Sequence, residues 1–495
     1  MNIRSIAYIM GWILRIESAF MLLPIVTAVI YGETQGWAFV AAMALALISG
    51  YLLTWKKPKN LSFYMKEGLV TTALCWVVMS IFGCLPFVMT GEIPRFVDAL
   101  FEVVSGFTTT GASILSEVES MSHCSMLWRC FTHWIGGMGV LVFLLAVLPL
   151  VGGSNMNLMK AESPGPSVSK LVPKIRHTAR ILYLMYFVMT ATQMILLLLG
   201  GMIPFEAVCT AFGTAGTGGF GFRNDSFASF SPYIQWVVTI FMVLFGVNFN
   251  VYYYMMLRKF RTALRCEEMR WYLAIITAAT LLICANIYDL SLTLEHNLRN
   301  AAFQVASVIT TTGFGTVDFD LWPTFSKLIL IMLMFCGACA GSTGGGLKVS
   351  RMVMAGKSVG RFVGSCLHPR AVGKIRFEDK EVDSETMYSI FVYFFAAFII
   401  FCVSVLLVSL DGMDLISTFT AVTATFNNIG PGLGAVGPTS NFGALSDLSK
   451  VVLILDMLIG RLEIFPMLIL VYPPLWKETL SISGKKARMR ARAQK

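Results

Sequence analysis

Ser307-Val308-Ile309-Thr310-Thr311-Thr312-Gly313-Phe314 is a run of β-branched and hydroxyl residues that meets a glycine between long apolar segments. Three other stretches repeat its chemistry: Ser105-Gly106-Phe107-Thr108-Thr109-Thr110-Gly111, Phe212-Gly213-Thr214-Ala215-Gly216-Thr217-Gly218-Gly219-Phe220 and Ala424-Thr425-Phe426-Asn427-Asn428-Ile429-Gly430-Pro431. Each sits in the same order: a long apolar run, a short acidic or amide-bearing segment, the hinge, a Pro/Ser/Asp-rich break and a second apolar run. Backbone of this composition cannot face lipid, where every unpaired N–H and C=O costs several kcal/mol. It must line something polar, and four such hinges in one chain imply a ring around a pore.

Composition agrees. The 495 residues are 56% hydrophobic and 13% charged, with a mean hydropathy of +0.72, far more apolar than a soluble enzyme. Apolar stretches long enough to cross a bilayer lie at Ile16–Ile30 (longer if Ile6–Leu14 joins it), Trp37–Trp55, Leu69–Met89, Trp128–Val151, Ile181–Ile203, Tyr233–Leu257, Trp271–Leu290, Leu328–Ala340 with its continuation, Tyr388–Leu410 and Val451–Tyr472. The expected class is an all-α membrane protein of ten transmembrane helices.

Charge gives orientation, because Lys and Arg collect on the cytoplasmic side of short loops. Basic clusters follow every even-numbered span: Lys56, Lys57, Lys59 and Lys66; Lys160, Lys170, Lys174, Arg176 and Arg180; Arg258, Lys259, Arg261, Arg265 and Arg270; Lys348, Arg351, Lys357, Arg361, Arg370, Lys374 and Arg376; and the tail after Lys477. Both termini are therefore expected in the cytoplasm, with no cleavable signal at Met1–Met10. Acidic residues, among them Glu33, Glu92, Asp98, Glu102, Glu206, Asp320, Asp411, Asp414 and Asp447, collect on the other side and make an acidic mouth. The net charge of +10 is explained by topology; no stacking aromatics accompany it, so no nucleic-acid partner is expected.

With this topology the four repeats run parallel, and every hinge opens on the extracellular side. Before each hinge stands a short helix-competent piece: Phe96–Phe107, Phe205–Phe212, Leu298–Ile309 and Leu415–Phe426. At about 1.5 Å per residue none of them spans a core of about 30 Å, so they are re-entrant half-helices. Their C-terminal ends, carrying partial negative charge, converge on the membrane centre and favour a cation. Rings of backbone carbonyls with Thr or Asn oxygens can replace a cation's hydration shell. The candidate ion-binding residues are Thr109, Thr110 and Gly111; Thr217, Gly218 and Gly219; Thr311, Thr312 and Gly313; and Asn428, Ile429 and Gly430. The glycines allow the backbone to turn its carbonyls inward, and Thr110, Gly218, Thr312 and Ile429 supply the adjoining carbonyls to the bound ion. Gly216 and Gly218 leave the second register open by a few residues, and small-residue helix packing is the alternative reading of any single hinge.

The hinges, together with Trp134-Ile135-Gly136-Gly137-Met138-Gly139, Cys339-Ala340-Gly341-Ser342-Thr343-Gly344-Gly345-Gly346-Leu347-Lys348 and Gly460-Arg461-Leu462-Glu463-Ile464-Phe465, resemble the TrkH/TrkG-type membrane subunit of the Trk/Ktr/HKT potassium-transporter superfamily over essentially the whole chain. The resemblance implies four parallel M1-P-M2 repeats about a pseudo-fourfold axis, beside an extra N-terminal helix pair. It also implies K+ as the transported ion, a homodimer, and a cytoplasmic TrkA-like nucleotide-binding ring as gating partner, with no nucleotide on this chain. In that family serine in place of the first-repeat glycine goes with sodium conduction, so Gly111 points to potassium. The glycine-rich Gly213–Gly216 stretch departs from the pattern.

The organisation expected is 1-60, a peripheral two-helix unit; 61-176, first pore repeat and linker; 177-265, second repeat; 266-383, third repeat with a gating loop and linker; 384-480, fourth repeat; and 481-495, a basic tail meeting either the partner or anionic membrane lipid. Gly337, Gly341, Gly344, Gly345 and Gly346 weaken the eighth span by about 1 kcal/mol each relative to alanine, so it should unwind. By resemblance this segment, with Lys348, is the intramembrane gate. A phosphate-binding loop does not fit, because Leu347 separates Gly346 from Lys348 and no strand precedes it. Arg461, costly within an apolar span, is expected to project into the pore below the filter, the alternative being an ion pair with Asp456 or Glu463. Arg15 and Glu17 are expected to pair at the interface, with Arg15 snorkelling.

Other classes fit less well. Organic-solute transporters use two inverted repeats and a midplane pocket, whereas four parallel copies leave too narrow a hole. His123, His133, His177, His296 and His368 are scattered and no HExxH or GxSxG occurs, so no enzyme is expected. Cys336-x-x-Cys339 has redox spacing but sits in an apolar run.

Overall fold

The computed structural model describes residues 2–58, 64–139, 175–288, 293–368 and 373–477. The basic tail Lys485–Lys495, the part of the Trp128–Val151 span from 140 onward, Lys59, Lys160, Lys170, Lys174, Arg370 and the side chains of Arg176 and His177 lie outside the described residues. Apart from one two-stranded antiparallel ribbon, Arg376–Phe377 with Lys380–Glu381, the described chain is built from helices and their connections. Six helices among these residues are long and apolar enough to cross a membrane: Ile3–Tyr31, Gly36–Thr54, Met65–Thr90, Ala179–Leu199, Glu267–Asn286 and Ser384–Asp411. The chain is an all-helical, multi-pass protein.

Other apolar helices stop halfway. His123–Gly137, Pro232–Phe245, Thr324–Cys336 and Asp447–Arg461 have 15, 14, 13 and 15 residues, which at about 1.5 Å per residue cover about 20 Å. Three start on a serine cap: Ser122, Ser231 and Ser446 accept from the N–H of Ser125, Ile234 and Ser449, satisfying donors the helix itself leaves unpaired.

The expected unwinding of the eighth span is present, since the helix ends at Cys336 and resumes only at Val349. Two other spans read as continuous are also interrupted. Tyr233–Leu257 becomes Pro232–Phe245 and Phe249–Met256, bent by 91°; a side chain at Gly246 would strike the Tyr272 hydroxyl, and Asn248 caps the second piece by accepting from Asn250 N–H at 3.0 Å. Val451–Tyr472 breaks after Arg461, with Glu463 and Ile464 at positive φ. Pro466 lies at the start of the next helix, and having no N–H to donate to a carbonyl four residues back it cannot continue the previous one.

Four short helices stand between the apolar ones. Phe96–Phe107 and Leu415–Phe426 have the expected bounds. Pro204–Gly216 runs four residues further than the expected Phe205–Phe212, and Leu294–Ile309 begins earlier than Leu298, on a Thr293 cap. The N-terminal pair packs through small residues: a Cβ on Gly11 would lie 2.8 Å from Gly50 O, and one on Gly50 2.7 Å from Gly11 O, the close approach that serves in place of hydrophobic driving force in lipid. Arg15 and Glu17 do not pair there. Residues two apart face different sides of a helix: Arg15 lies over the Trp12 and Tyr51 rings, while both Glu17 oxygens are buried with no hydrogen-bond partner among the described residues.

Candidate functional site

The helices Phe96–Phe107, Pro204–Gly216, Leu294–Ile309 and Leu415–Phe426 end in the same local geometry. Thr109, Thr217, Thr311 and Asn428 have φ of 55°, 53°, 59° and 57°, a left-handed conformation that is uncommon for any side chain and strained for threonine. The next amide reaches back five residues in each case: Thr110 to Ser105 O (2.8 Å), Gly218 to Gly213 O (2.9 Å), Thr312 to Ser307 O (2.8 Å) and Ile429 to Ala424 O (2.8 Å). This is the bonding of a left-handed helix cap. One residue later stand Gly111, Gly219, Gly313 and Gly430, at φ of 80°, 83°, 83° and 100°. In the second bend this geometry falls on Thr217, Gly218 and Gly219.

These four bends form a closed ring. A Cβ on Gly111 would strike Gly218 O; one on Gly219, Thr312 O; one on Gly313, Ile429 O; and one on Gly430 would lie 2.8 Å from Thr110 O. Each glycine thus abuts the carbonyl preceding the glycine of the following bend, and the fourth returns to the first. A side bond crosses the same junction, Asn428 Nδ2 donating to Thr110 Oγ1 at 2.9 Å. The four helix C-termini, with their partial negative charge, point at this ring. The twelve residues of the bends include no charged side chain, so backbone dipoles dominate the chemistry, and stacked carbonyls can take over the hydration shell of a bare alkali cation.

A cavity of about 180 Å³ touches all four glycines on one side of the ring. A second, of about 90 Å³, is lined by Gly137, Gly341, Gly344, Gly345, Gly346, Lys348 and Arg461. The segment from Gly337 to Lys348 forms the wall of this second cavity and is bonded directly to the ring: Gly345 N–H donates to Thr311 Oγ1 at 2.6 Å and Gly346 N–H to Asn427 O at 3.1 Å. Lys348, almost fully buried, donates to Gly344 O. Arg461 donates to Thr343 O (2.8 Å), Gly136 O (2.5 Å) and Gly137 O (2.9 Å). Of the acidic residues considered as its partners, Glu463 takes Arg351 at 2.5 Å and Asp456 accepts from Ser404 at 2.6 Å.

Two buried carboxylates support the site in roles that residue type alone does not reveal. Glu268 holds both ends of the loop, accepting from Ala340 N–H at 2.6 Å and Ser350 N–H at 3.2 Å; as an acid in the first turn of a helix it reads simply as dipole compensation. Glu102, assigned to the acidic mouth, is instead buried with Arg129 at 2.6 Å. That pair also binds the segments leaving two bends, Glu102 accepting from Ile114 N–H (3.0 Å) and Arg129 donating to Gly221 O (2.8 Å).

A family model described as TrkH, cation transport protein, matches residues 35–477. The Trk system potassium uptake protein TrkH of Salmonella typhimurium is 36% identical over 489 residues, 97% of this chain and 100% of that protein. TrkG of Escherichia coli K12, another Trk system potassium uptake protein, is 30% identical over 482 residues, 96% of this chain and 99% of its own. The crystal structure of the potassium transporter TrkH from Vibrio parahaemolyticus is similar with a TM-score of 0.85 at 31% identity, covering 96% of this chain and 100% of that one.

Proposed function

This chain belongs to the TrkH family of cation transport proteins, and we propose that it takes up potassium through a channel-like pore whose narrowest part is the four-bend ring. It is a transporter, not an enzyme. The observation that carries the reading is the cyclic succession of glycine and carbonyl from Gly111 through Gly219, Gly313 and Gly430 back to Thr110. A ring of this kind substitutes carbonyl oxygen for water around the ion, and an inside-negative potential supplies about 2.3 kcal/mol per charge for each 100 mV. No nucleotide hydrolysis by this chain is needed.

The finer arrangement is part of the proposal. Ten spans and four re-entrant helices make four parallel repeats, with boundaries near 61-176, 177-265, 266-383 and 384-480, after a peripheral unit at 1-60. Thr110, Gly218, Thr312 and Ile429 present carbonyls to K+, with Thr109, Thr217, Thr311, Asn428 and the four glycines shaping the ring. The cavity touching the glycines opens outward. The Gly337–Lys348 segment and Arg461 close the inner cavity and form the gate. The protein resides in the cytoplasmic membrane of a prokaryote with both termini inside, as a homodimer whose gate answers to a TrkA-like nucleotide-binding ring. Charge asymmetry of the loops supports the orientation.

Rubidium uptake into proteoliposomes, compared with sodium and with a labelled amino acid, tests the function. Uptake of rubidium well above both is expected; amino-acid uptake, or equal sodium and rubidium uptake, would overturn it.

A further inference from the structure

We infer that His133 is a positioning residue for the second bend, standing in for side chains that Gly216 and Gly218 lack, and that it thereby sets how well the ring separates potassium from sodium. The inference rests on the ring being the potassium pathway.

The other bends carry their own braces. Thr110 Oγ1 lies 2.8 Å from Thr108 Oγ1, which donates to Val104 O. Thr312 Oγ1 lies 2.7 Å from Thr310 Oγ1, which donates to Ala306 O. In the fourth bend Asn428 Nδ2 donates to Thr110 Oγ1 and to Met457 O, both at 2.9 Å. The second bend has glycine at the positions of both threonines, and among the described residues its Thr217 hydroxyl donates only to the neighbouring Gly216 O. Left alone it would be the loosest of the four, since glycine retains the widest backbone freedom.

His133 fills that gap from the helix His123–Gly137. A Cβ on Gly218 would strike the imidazole at Cγ and Nδ1, and one on Gly216 would strike His133 O. The imidazole therefore occupies the space of a side chain at the second bend. Its Nδ1 is 2.8 Å from Gly106 O and its Nε2 is 3.1 Å from Phe220 N. A carbonyl can only accept and an amide N–H can only donate, so the proton sits on Nδ1 and Nε2 is the acceptor. One fully buried ring thus ties the first short helix to the residue following Gly219. The Phe220 ring packs on it at 4.2 Å between centroids, with the Arg129 guanidinium 3.7 Å from the Phe220 centroid.

Removing the imidazole deletes both bonds and leaves a void beside a backbone that has no side chain to fill it. The Gly218 carbonyl, one quarter of its layer, then shifts to meet a smaller ion. His133→Leu is expected to lower the rubidium-to-sodium uptake ratio by about tenfold, the scale of losing two buried hydrogen bonds. His133→Gln, which keeps one donor and one acceptor, is expected to stay within about threefold of the wild-type ratio. As a second route, independent of whether the leucine variant folds, Gly218→Ala is expected to abolish uptake and Gly218→Ala with His133→Ala to regain part of it. A conducting His133→Leu protein with the wild-type ratio, or Gly218→Ala conducting normally with His133 in place, would overturn the inference alone. A wild-type protein that takes up no rubidium would overturn the potassium reading and this inference with it.

Discussion

Arg461 donates from Nη1 to the carbonyl of Thr343 at 2.8 Å, while its Nη2 binds the carbonyls of Gly136 and Gly137. One guanidinium therefore ties the unwound segment to the end of the helix His123–Gly137, across the cavity beneath the ring. Hydrogen bonds to a charged group contribute about 1.5–3 kcal/mol each, and the same charge opposes a cation in the cavity. Arg461→Ala is expected to raise rubidium uptake by about tenfold in proteoliposomes, and Arg461→Lys, a point donor without the planar fork, by less. An Arg461→Ala protein that folds and conducts like wild type would remove the residue from the proposed gate.

The ring glycines are not equivalent. A Cβ at Gly111, Gly219 or Gly313 would lie 2.0, 1.9 or 2.1 Å from the next carbonyl oxygen, whereas at Gly430 the overlap is milder, with Thr110 O at 2.8 Å. All four have positive φ, where alanine costs about 1 kcal/mol or more. Gly219→Ala and Gly313→Ala are expected to lose rubidium uptake below detection, and Gly430→Ala to keep a measurable fraction. The opposite order would contradict the ring geometry.

The Glu102–Arg129 pair is fully enclosed, with side-chain exposures of 0% and 3%. Deleting one member leaves an uncompensated charge, at a cost of about 3–5 kcal/mol, whereas replacing both with apolar residues of similar volume is often near neutral. Thermal unfolding in detergent should therefore show a large loss for Glu102→Leu, with much of it recovered when Arg129→Met is added. Equal losses in the single and double variants would show that the pair is not coupled.

Glu33, in the loop between the two N-terminal helices, accepts from His123 N–H at 2.7 Å, from Cys124 N–H at 3.0 Å and lies 2.8 Å from His123 Nδ1. Partial burial pushes its carboxyl up, but these bonds outweigh burial and hold it below the ordinary 4.5. A carboxyl depressed in the folded state contributes stability that is full above its unfolded value and is lost as pH falls through the folded one. The gap in unfolding temperature between wild type and Glu33→Gln is expected to be present at neutral pH and to close as pH falls through and below the ordinary carboxylate range. A gap unchanged across that window would show that the carboxylate contributes nothing there.

Much of this architecture is legible from residue types. Hydroxyl or amide runs meeting a glycine between apolar segments mark all four bends, and the bounds of Phe96–Phe107 and Leu415–Phe426 follow directly. The second bend is harder because Gly213, Gly216, Gly218 and Gly219 all tolerate positive φ; only the Gly218-to-Gly213 hydrogen bond selects the register. Gly246 and Pro466 look like tolerated irregularities in long apolar runs, and the halts they mark depend on neighbours such as Tyr272. Partners remote in the chain are hidden altogether: Glu268 reaches amides 72 and 82 positions away, and His133 one 87 positions away. Local patterning carries no sign of such pairings.

Replacement of water around an alkali ion by the four bends together, as proposed, is tested most directly by anomalous diffraction from crystals of the protein grown with rubidium or thallium. The expected result is an anomalous peak on the axis of the ring, within coordinating distance of the carbonyls of Thr110, Gly218, Thr312 and Ile429, that disappears in Gly219→Ala. Anomalous peaks only elsewhere in a protein shown to conduct rubidium would contradict it.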